Sequence, residues 1–274
     1  MAFAGGRLLH TLPEDNSVWG VTSLDSLLFV LNEKRLQQIS VYDTHSYRLL
    51  RLLNVPGLGA MADMVSCAHY HCIYISGFID KCVHRVALLQ GGAVTKWQID
   101  EEVRGLSVTK THSVLATCVH IQEIREFSTS GTLLRRIQLA QDVLSPWHAI
   151  QLSGGQFIVC HGGRDDPVHR VCLIGSDGNV LKSYGGPPGS GNQHNPVRLV
   201  VDRDGFFYVA DFDNCRVLLL SSSLTYKGEF VSKVQLRGRP LSLHLDADKH
   251  QLYVAANEVF YSKWTAGRVD VFNI

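Results

Sequence analysis

Few side chains in this sequence combine a reactive type with a useful spacing. Asp63, His148 and His244 are suited to holding a divalent ion or moving a proton, but they stand far apart in the chain. Only a fold that converges distant segments would bring them together, and scattered as they are they read as core or channel residues. His69-Tyr70-His71 is tighter in spacing and reads as a solvent turn within a hairpin. Cys160 and His161 are neighbours in the apolar run FIVCH, so on a strand they point to opposite faces and form no nucleophile–base pair. The G-x-S-x-G elbow of serine hydrolases is missing. Gly185 to Pro196, GGPPGSGNQHNP, has the glycines of a phosphate loop without the trailing Gly-Lys-Ser/Thr or a helix to follow. The expectation is no catalytic residue, no metal and no cofactor.

Composition narrows the partners. The 274 residues are 45% apolar and 19% charged, enough for a sizeable core, and 26 basic against 25 acidic residues leave a net charge of +1. That balance gives no overall case for nucleic acid or membrane, although a local basic face fits within it. No apolar run reaches the roughly 18 residues that span a bilayer. The start, MAFAGGRLLHTLPEDN, is not patterned as a signal peptide. The seven cysteines include no C-x-x-C pair, and several sit inside apolar runs as small buried hydrophobes. A cytoplasmic location is expected.

The elements that must position any site come from a repeat. The run FYVAD has relatives in LFVLN, IYISG, VLATC, FIVCH and LYVAA. Their second residues, Phe29, Tyr74, Leu115, Ile158, Tyr208 and Tyr253, are spaced by 45, 41, 43, 50 and 45. Each relative is preceded by one short apolar run and followed by one or two more, with Gly, Asp, Asn, Ser or Pro at the turns. Four antiparallel strands per 40–50 residues, repeated six times, predict an all-β, six-bladed propeller. The blades are expected at about 18–59, 60–104, 105–146, 147–196, 197–240 and 241–274 within one domain over 1–274. The last unit is one strand short, and Gly6 to Leu12 is the unclaimed strand that would complete it and close the ring.

Asn195 to Ser221, NPVRLVVDRDGFFYVADFDNCRVLLLS, then resembles an NHL repeat: Pro, a strand, Asp-x-x-Gly, a strand ending Ala-Asp, and Asn-x-Arg-Val. Arg-Val recurs at Arg85-Val86, Arg170-Val171 and Arg268-Val269, expected to open the third strand in four of six blades. WD40 and kelch signatures fit worse. The resemblance implies a propeller like that at the C-terminus of tripartite-motif (TRIM) proteins, hence a non-enzymatic scaffold binding a protein partner or ubiquitination substrate. The chain itself carries no RING or B-box pattern. Within the motif, Asp202, Gly205, Asp211, Asn214 and Arg216 read as turn chemistry. Asp211 would accept from turn N–H groups, Asn214 would take the left-handed conformation, Gly205 would supply positive φ, and Arg216 would pair with Asp211 or Asp213.

Loops on a rigid ring are where recognition residues gather. The loops between second and third strands share a face with the connections between blades. That face is expected to carry Arg35, Lys81, Arg85, Arg164, Arg170, Lys263, Trp264 and Arg268 as the candidate rim. Gly77, His161 and Ala256 stand where Asp211 would be, so Arg85, Arg170 and Arg268 are expected to lack its carboxylate. Free arginines beside Trp264 would suit a protein hot spot or single-stranded RNA. RNA binding is thus the first alternative and a divergent metal-dependent lactonase or lyase the second; neither a membrane nor a small-molecule substrate is expected.

Overall fold

Short apolar runs punctuated by turn residues give twenty-four strands in the computed structural model, which describes residues 5–33, 37–59, 63–77, 80–186, 194–260 and 263–274. The first strand, β1 (Arg7–Glu14), joins the last sheet. Blade one is β2 (Val18–Leu24), β3 (Leu27–Asn32), β4 (Gln38–Asp43) and β5 (Leu49–Asn54). Blade two is β6 (Met64–Cys67), β7 (Cys72–Gly77), β8 (Cys82–Ala87) and β9 (Ala93–Gln98). Blade three is β10 (Val103–Val108), β11 (Val114–Cys118), β12 (Glu123–Phe127) and β13 (Leu133–Gln138). Blade four is β14 (Pro146–Gln151), β15 (Phe157–His161), β16 (His169–Ile174) and β17 (Val180–Gly186). Blade five is β18 (Pro196–Val201), β19 (Phe207–Asp211), β20 (Arg216–Leu220) and β21 (Tyr226–Val231). Blade six is β22 (Arg239–Asp246), β23 (Gln251–Phe260) and β24 (Lys263–Asn273), completed by β1.

The first strand of each blade touches its counterparts in the neighbouring blades, so β2, β6, β10, β14, β18 and β22 line the centre of a closed ring. Six apolar clusters lie between successive blades rather than within any one. Each sheet therefore buries both faces, which is why β7, β11, β15 and β19 are mainly apolar and buried at every position. The fourth strands form the outer edge and leave Leu49, Leu50, Leu133 and Leu134 exposed.

The expected closure holds. Strand β1 pairs antiparallel with β24 from Arg7↔Asn273 to Glu14↔Gly267. The Asn257 side chain fastens the seam, accepting from Val18 N at 2.7 Å and donating to Val18 O at 2.9 Å. Among the described residues helix is confined to a single turn at Lys233–Leu236, capped by Ser232, and a 3₁₀ turn at Leu88–Gln90. No helix among the described residues is long and apolar enough to cross a membrane.

Register corrects two readings of the repeat. In blade five Asp211 faces Arg216 and Phe207 faces Leu220. In blade two Gly77 faces Cys82 and Ile73 faces Val86. Cys82 is thus the counterpart of Arg216, and Arg85 lies three residues further along β8, opposite Tyr74. The Arg-Val pair of blade two looks like the others in sequence but is out of phase with them. The left-handed residue of the 211–216 turn is Cys215, at φ 58°, not Asn214. Asn214 acts through its side chain, donating to Asp211 Oδ2 at 2.9 Å.

Candidate functional site

A β-bulge recurs at the start of five inner strands. Pairing skips one residue between Val18 and Gly20, Val103 and Gly105, Pro146 and His148, Pro196 and Arg198, and Pro240 and Ser242. The skipped residues are Trp19, Arg104, Trp147, Val197 and Leu241, and all five line one cleft with Asp63 and Arg198. An extra residue in one strand turns its side chain out of the pleat. Here the repeated bulge aims those side chains into the channel mouth, on the face of the second-to-third strand loops. The Arg104 guanidinium lies 4.6 Å from the Trp147 ring centroid, a cation–π contact, and burial holds its pKa below the usual arginine value.

Below this layer an ion pair crosses the channel. Asp63 immediately precedes β6 and Arg198 lies in β18, on opposite sides of the ring, and the two side chains are in contact. Both are almost fully buried, at 5% and 7% exposure. Asp63 also accepts from Leu106 N at 2.6 Å and Met64 N at 2.7 Å, while Arg198 donates to Met64 O at 3.3 Å. One carboxylate thereby links blades two, three and five. Arg198 and Trp147 both line the cleft, and their Nε and Nε1 atoms are buried without a hydrogen-bond partner.

The channel histidines are held by hydrogen bonds. His148 donates from Nε2 to Leu106 O at 3.0 Å, and burial, with Arg198 adding to it, pushes its pKa well below 6.5. His244 has Ser23 Oγ 2.9 Å from Nε2 and Thr22 Oγ1 3.2 Å from Nδ1, and burial lowers its pKa to about 4. Asp246 accepts from Ser23, so these three residues do not line up as acid, base and nucleophile. His161 has Cys172 Sγ 3.4 Å from Nε2, but burial takes the imidazole down to about 4 and the thiol up to about 12. That pair is neutral.

The expected free arginines are held. Arg170 donates to Asp142 Oδ2 at 2.8 Å, from the connection preceding its blade. Arg268 donates to Asp270 Oδ2 at 2.8 Å and lies 3.4 Å from Glu258 Oε1. Both replace the missing Asp211 equivalent with another carboxylate, because a half-buried guanidinium is costly without one. Arg85 sits away from the rim, beside Tyr74 and Cys72. Lys81 is half-buried in the turn before β8, and Arg164 is exposed in the loop after β15. Arg35 lies outside the described residues; Lys263 and Trp264 fall at the start of β24.

The motif residues of blade five build the fold locally. Asp211 is fully buried and accepts from Arg216 Nε at 2.7 Å and from His194 N at 2.7 Å, as well as from Asn214. The backbone donor comes from the connection preceding the blade, not from the turn. Arg216 also donates to Glu229 Oε1 at 2.7 Å. Asp202 accepts from Phe206 N at 2.8 Å, and Gly205 takes φ 82° in the turn between them. Asp202 borders a pocket of about 650 Å³ on the opposite face, walled by Phe206, Leu219, Leu245 and Ile274.

Sequence reasoning missed the aromatic and cationic mouth. A signal was present: Trp19, Arg104, Trp147, Val197 and Leu241 precede the second residue of the next strand's run by 10, 11, 11, 11 and 12 positions.

Neither a protein-family model nor a curated protein matches this sequence. Solved structures do. A streptogramin B lyase structure aligns at TM-score 0.67 and 14% identity, covering 97% of this chain and 87% of that one. Virginiamycin B lyase from Staphylococcus aureus aligns at TM-score 0.65 and 12% identity, covering 98% and 89%. Hydrazine synthase from Kuenenia stuttgartiensis aligns at TM-score 0.64 and 12% identity, covering 91% and 95%. At such identities the likeness is one of architecture, and what this chain shares with these proteins is the β-propeller fold.

Proposed function

We propose that this propeller is a recognition scaffold that binds a protein partner at the channel mouth. The observation that carries the reading is the bulge-aligned cluster of Trp19, Arg104 and Trp147 over the Asp63–Arg198 pair. Tryptophan and arginine on a rigid, partly desolvated base are the composition of a binding hot spot. The buried donors favour an acidic or carbonyl-rich segment in an extended loop. A place in ubiquitin ligation rests on the NHL resemblance of Asn195–Ser221 alone. Single-stranded RNA is the weaker alternative, because Arg170 and Arg268 are already neutralised by carboxylates.

The test is selection of a random peptide library on the purified chain. Enrichment of acidic sequences that bind wild type and fail to bind Arg104→Ala and Trp147→Ala supports the reading. Enriched peptides that bind both variants as well as wild type overturn the site.

A second reading, a lyase activity of the kind named for these neighbours, is favoured by their likeness over nearly the whole chain. It predicts that the chain converts quinupristin, the compound named with one of these lyases, to a product that liquid chromatography resolves from it. Recovery of intact compound removes it.

A further inference from the structure

Blade two carries a second cluster, away from the channel, in the sequence Asp80-Lys-Cys-Val-His84. Cys82 and His84 are two apart on β8 and so share a face. Asp80 comes from the preceding turn, where Lys81 takes a left-handed φ of 50° and the chain folds the carboxylate back over the strand. Cys82 Sγ lies 2.7 Å from Asp80 Oδ2 and 3.5 Å from His84 Nε2. His84 Nε2 lies 3.1 Å from Asp80 Oδ2, closing the triangle. Gly77 faces Cys82 across the ladder, and a Cβ there would stand 1.6 Å from Asp80 Oδ1. The missing side chain is what admits the carboxylate. Among the described residues no other trio of thiol, imidazole and carboxyl donors converges in this way.

We propose that Asp80, Cys82 and His84 hold a zinc-class divalent ion, with a fourth position open to solvent at the turn. One sulfur, one nitrogen and one oxygen are the donors such an ion accepts, and three protein ligands leave one position for water. Metal–ligand lengths of about 2.0–2.3 Å separate tetrahedral donors by roughly 3.4–3.6 Å. The imidazole is already near that spacing from the other two donors. Asp80, the exposed member at 26%, has to swing outward from Cys82 by somewhat less than about 1 Å.

Hydrogen bonding alone accounts for the cluster less well. Asp80 Oδ1 is buried with no hydrogen-bond partner. A bound ion with its water supplies Oδ1 with a partner. Charge also balances: a divalent ion against one thiolate and one carboxylate leaves the buried site neutral. Binding therefore releases the Cys82 thiol proton to solvent while the imidazole stays neutral, with its proton on Nδ1. The ion would pin the turn between β7 and β8 independently of any ligand at the channel mouth.

The test uses the full chain and Co²⁺ as a spectroscopic stand-in, displaced afterwards by Zn²⁺. The expected result is one ion per chain, with a thiolate-to-cobalt charge-transfer band and intense tetrahedral d–d bands. Cys82→Ser abolishes the charge-transfer band, and Asp80→Asn weakens Co²⁺ binding by about 100-fold or more. Cys67→Ser and Cys215→Ser leave the spectrum unchanged. A wild-type chain with no such band, or a band that survives in Cys82→Ser, overturns the proposal. Should Cys82→Ser fail to fold, the melting temperature of wild type with and without Zn²⁺ decides. A rise that is lost in Asp80→Asn supports the site, and no rise in wild type overturns it.

Discussion

Replacing Arg198 by methionine tests the ion pair that crosses the channel. The substitution keeps most of the side-chain volume and removes the guanidinium, leaving the Asp63 carboxylate buried at 5% exposure. Breaking a buried pair from one side costs about 3–5 kcal/mol, because the remaining charge is uncompensated. Asp63 keeps two backbone N–H donors, from Met64 and Leu106, which puts the loss near the lower end, about 3 kcal/mol. Urea unfolding of wild type and variant measures it. At roughly 2–4 °C per kcal/mol for a chain approaching this size, the melting temperature falls by about 6–12 °C. The decisive comparison repeats Arg198→Met in an Asp63→Leu background. There the carboxylate is gone and Arg198 is the stranded charge, so removing it costs nothing or restores stability. A loss of less than about 1 kcal/mol in wild type, or the same loss in both backgrounds, refutes the argument.

Three further outcomes follow from geometry. His161 and His244 titrate near pH 4 in the folded chain, chiefly through burial, against about 6.5 unfolded. The unfolded chain takes up protons first, so stability falls as pH drops from about 6.5 to 4, by up to about 3 kcal/mol for each histidine. Urea midpoints at neutral and acidic pH should show this, and His244→Gln should flatten the slope; equal stability at both pH values contradicts it. Asp211→Ala should cost about 2–3 kcal/mol, stripping partners from Arg216, Asn214 and His194 N, whereas Asp248→Ala, in an exposed pair with Arg203, should stay within about 0.5 kcal/mol. Similar costs for the two would show that burial does not govern them. Gly205→Ala forces φ 82° on an L-residue and should cost about 1 kcal/mol, while Gly154→Ala, with nothing within 4 Å of its Cβ, should be near neutral by thermal melting. A neutral Gly205→Ala would mean that the turn relaxes.

The repeat, the strand count and the closing strand were all legible in the sequence. They depend on local patterns: apolar runs the length of strands, turn residues between them, and a deficit of one strand at one end matched at the other. A pairing of Arg216 with Asp211 or Asp213 was legible for the same reason, since all three belong to one hairpin, and the structure selects Asp211. The misreading of Arg85 shows the limit of pattern. A dipeptide identical to its counterparts lies out of register, and register is defined only against the partner strand.

What tertiary structure alone decided is which distant groups meet. Arg170 takes its carboxylate from Asp142 in the connection that precedes its blade. Asp63 meets Arg198 because six blades close to a ring that sets the second opposite the fifth. The mouth residues converge because a one-residue bulge, visible only once two strands are paired, recurs at the same level in five blades. Local sequence determined the blades, since strand and turn preferences act over a few residues. The site depended on ring closure and register, which the chain acquires only when the blades pack.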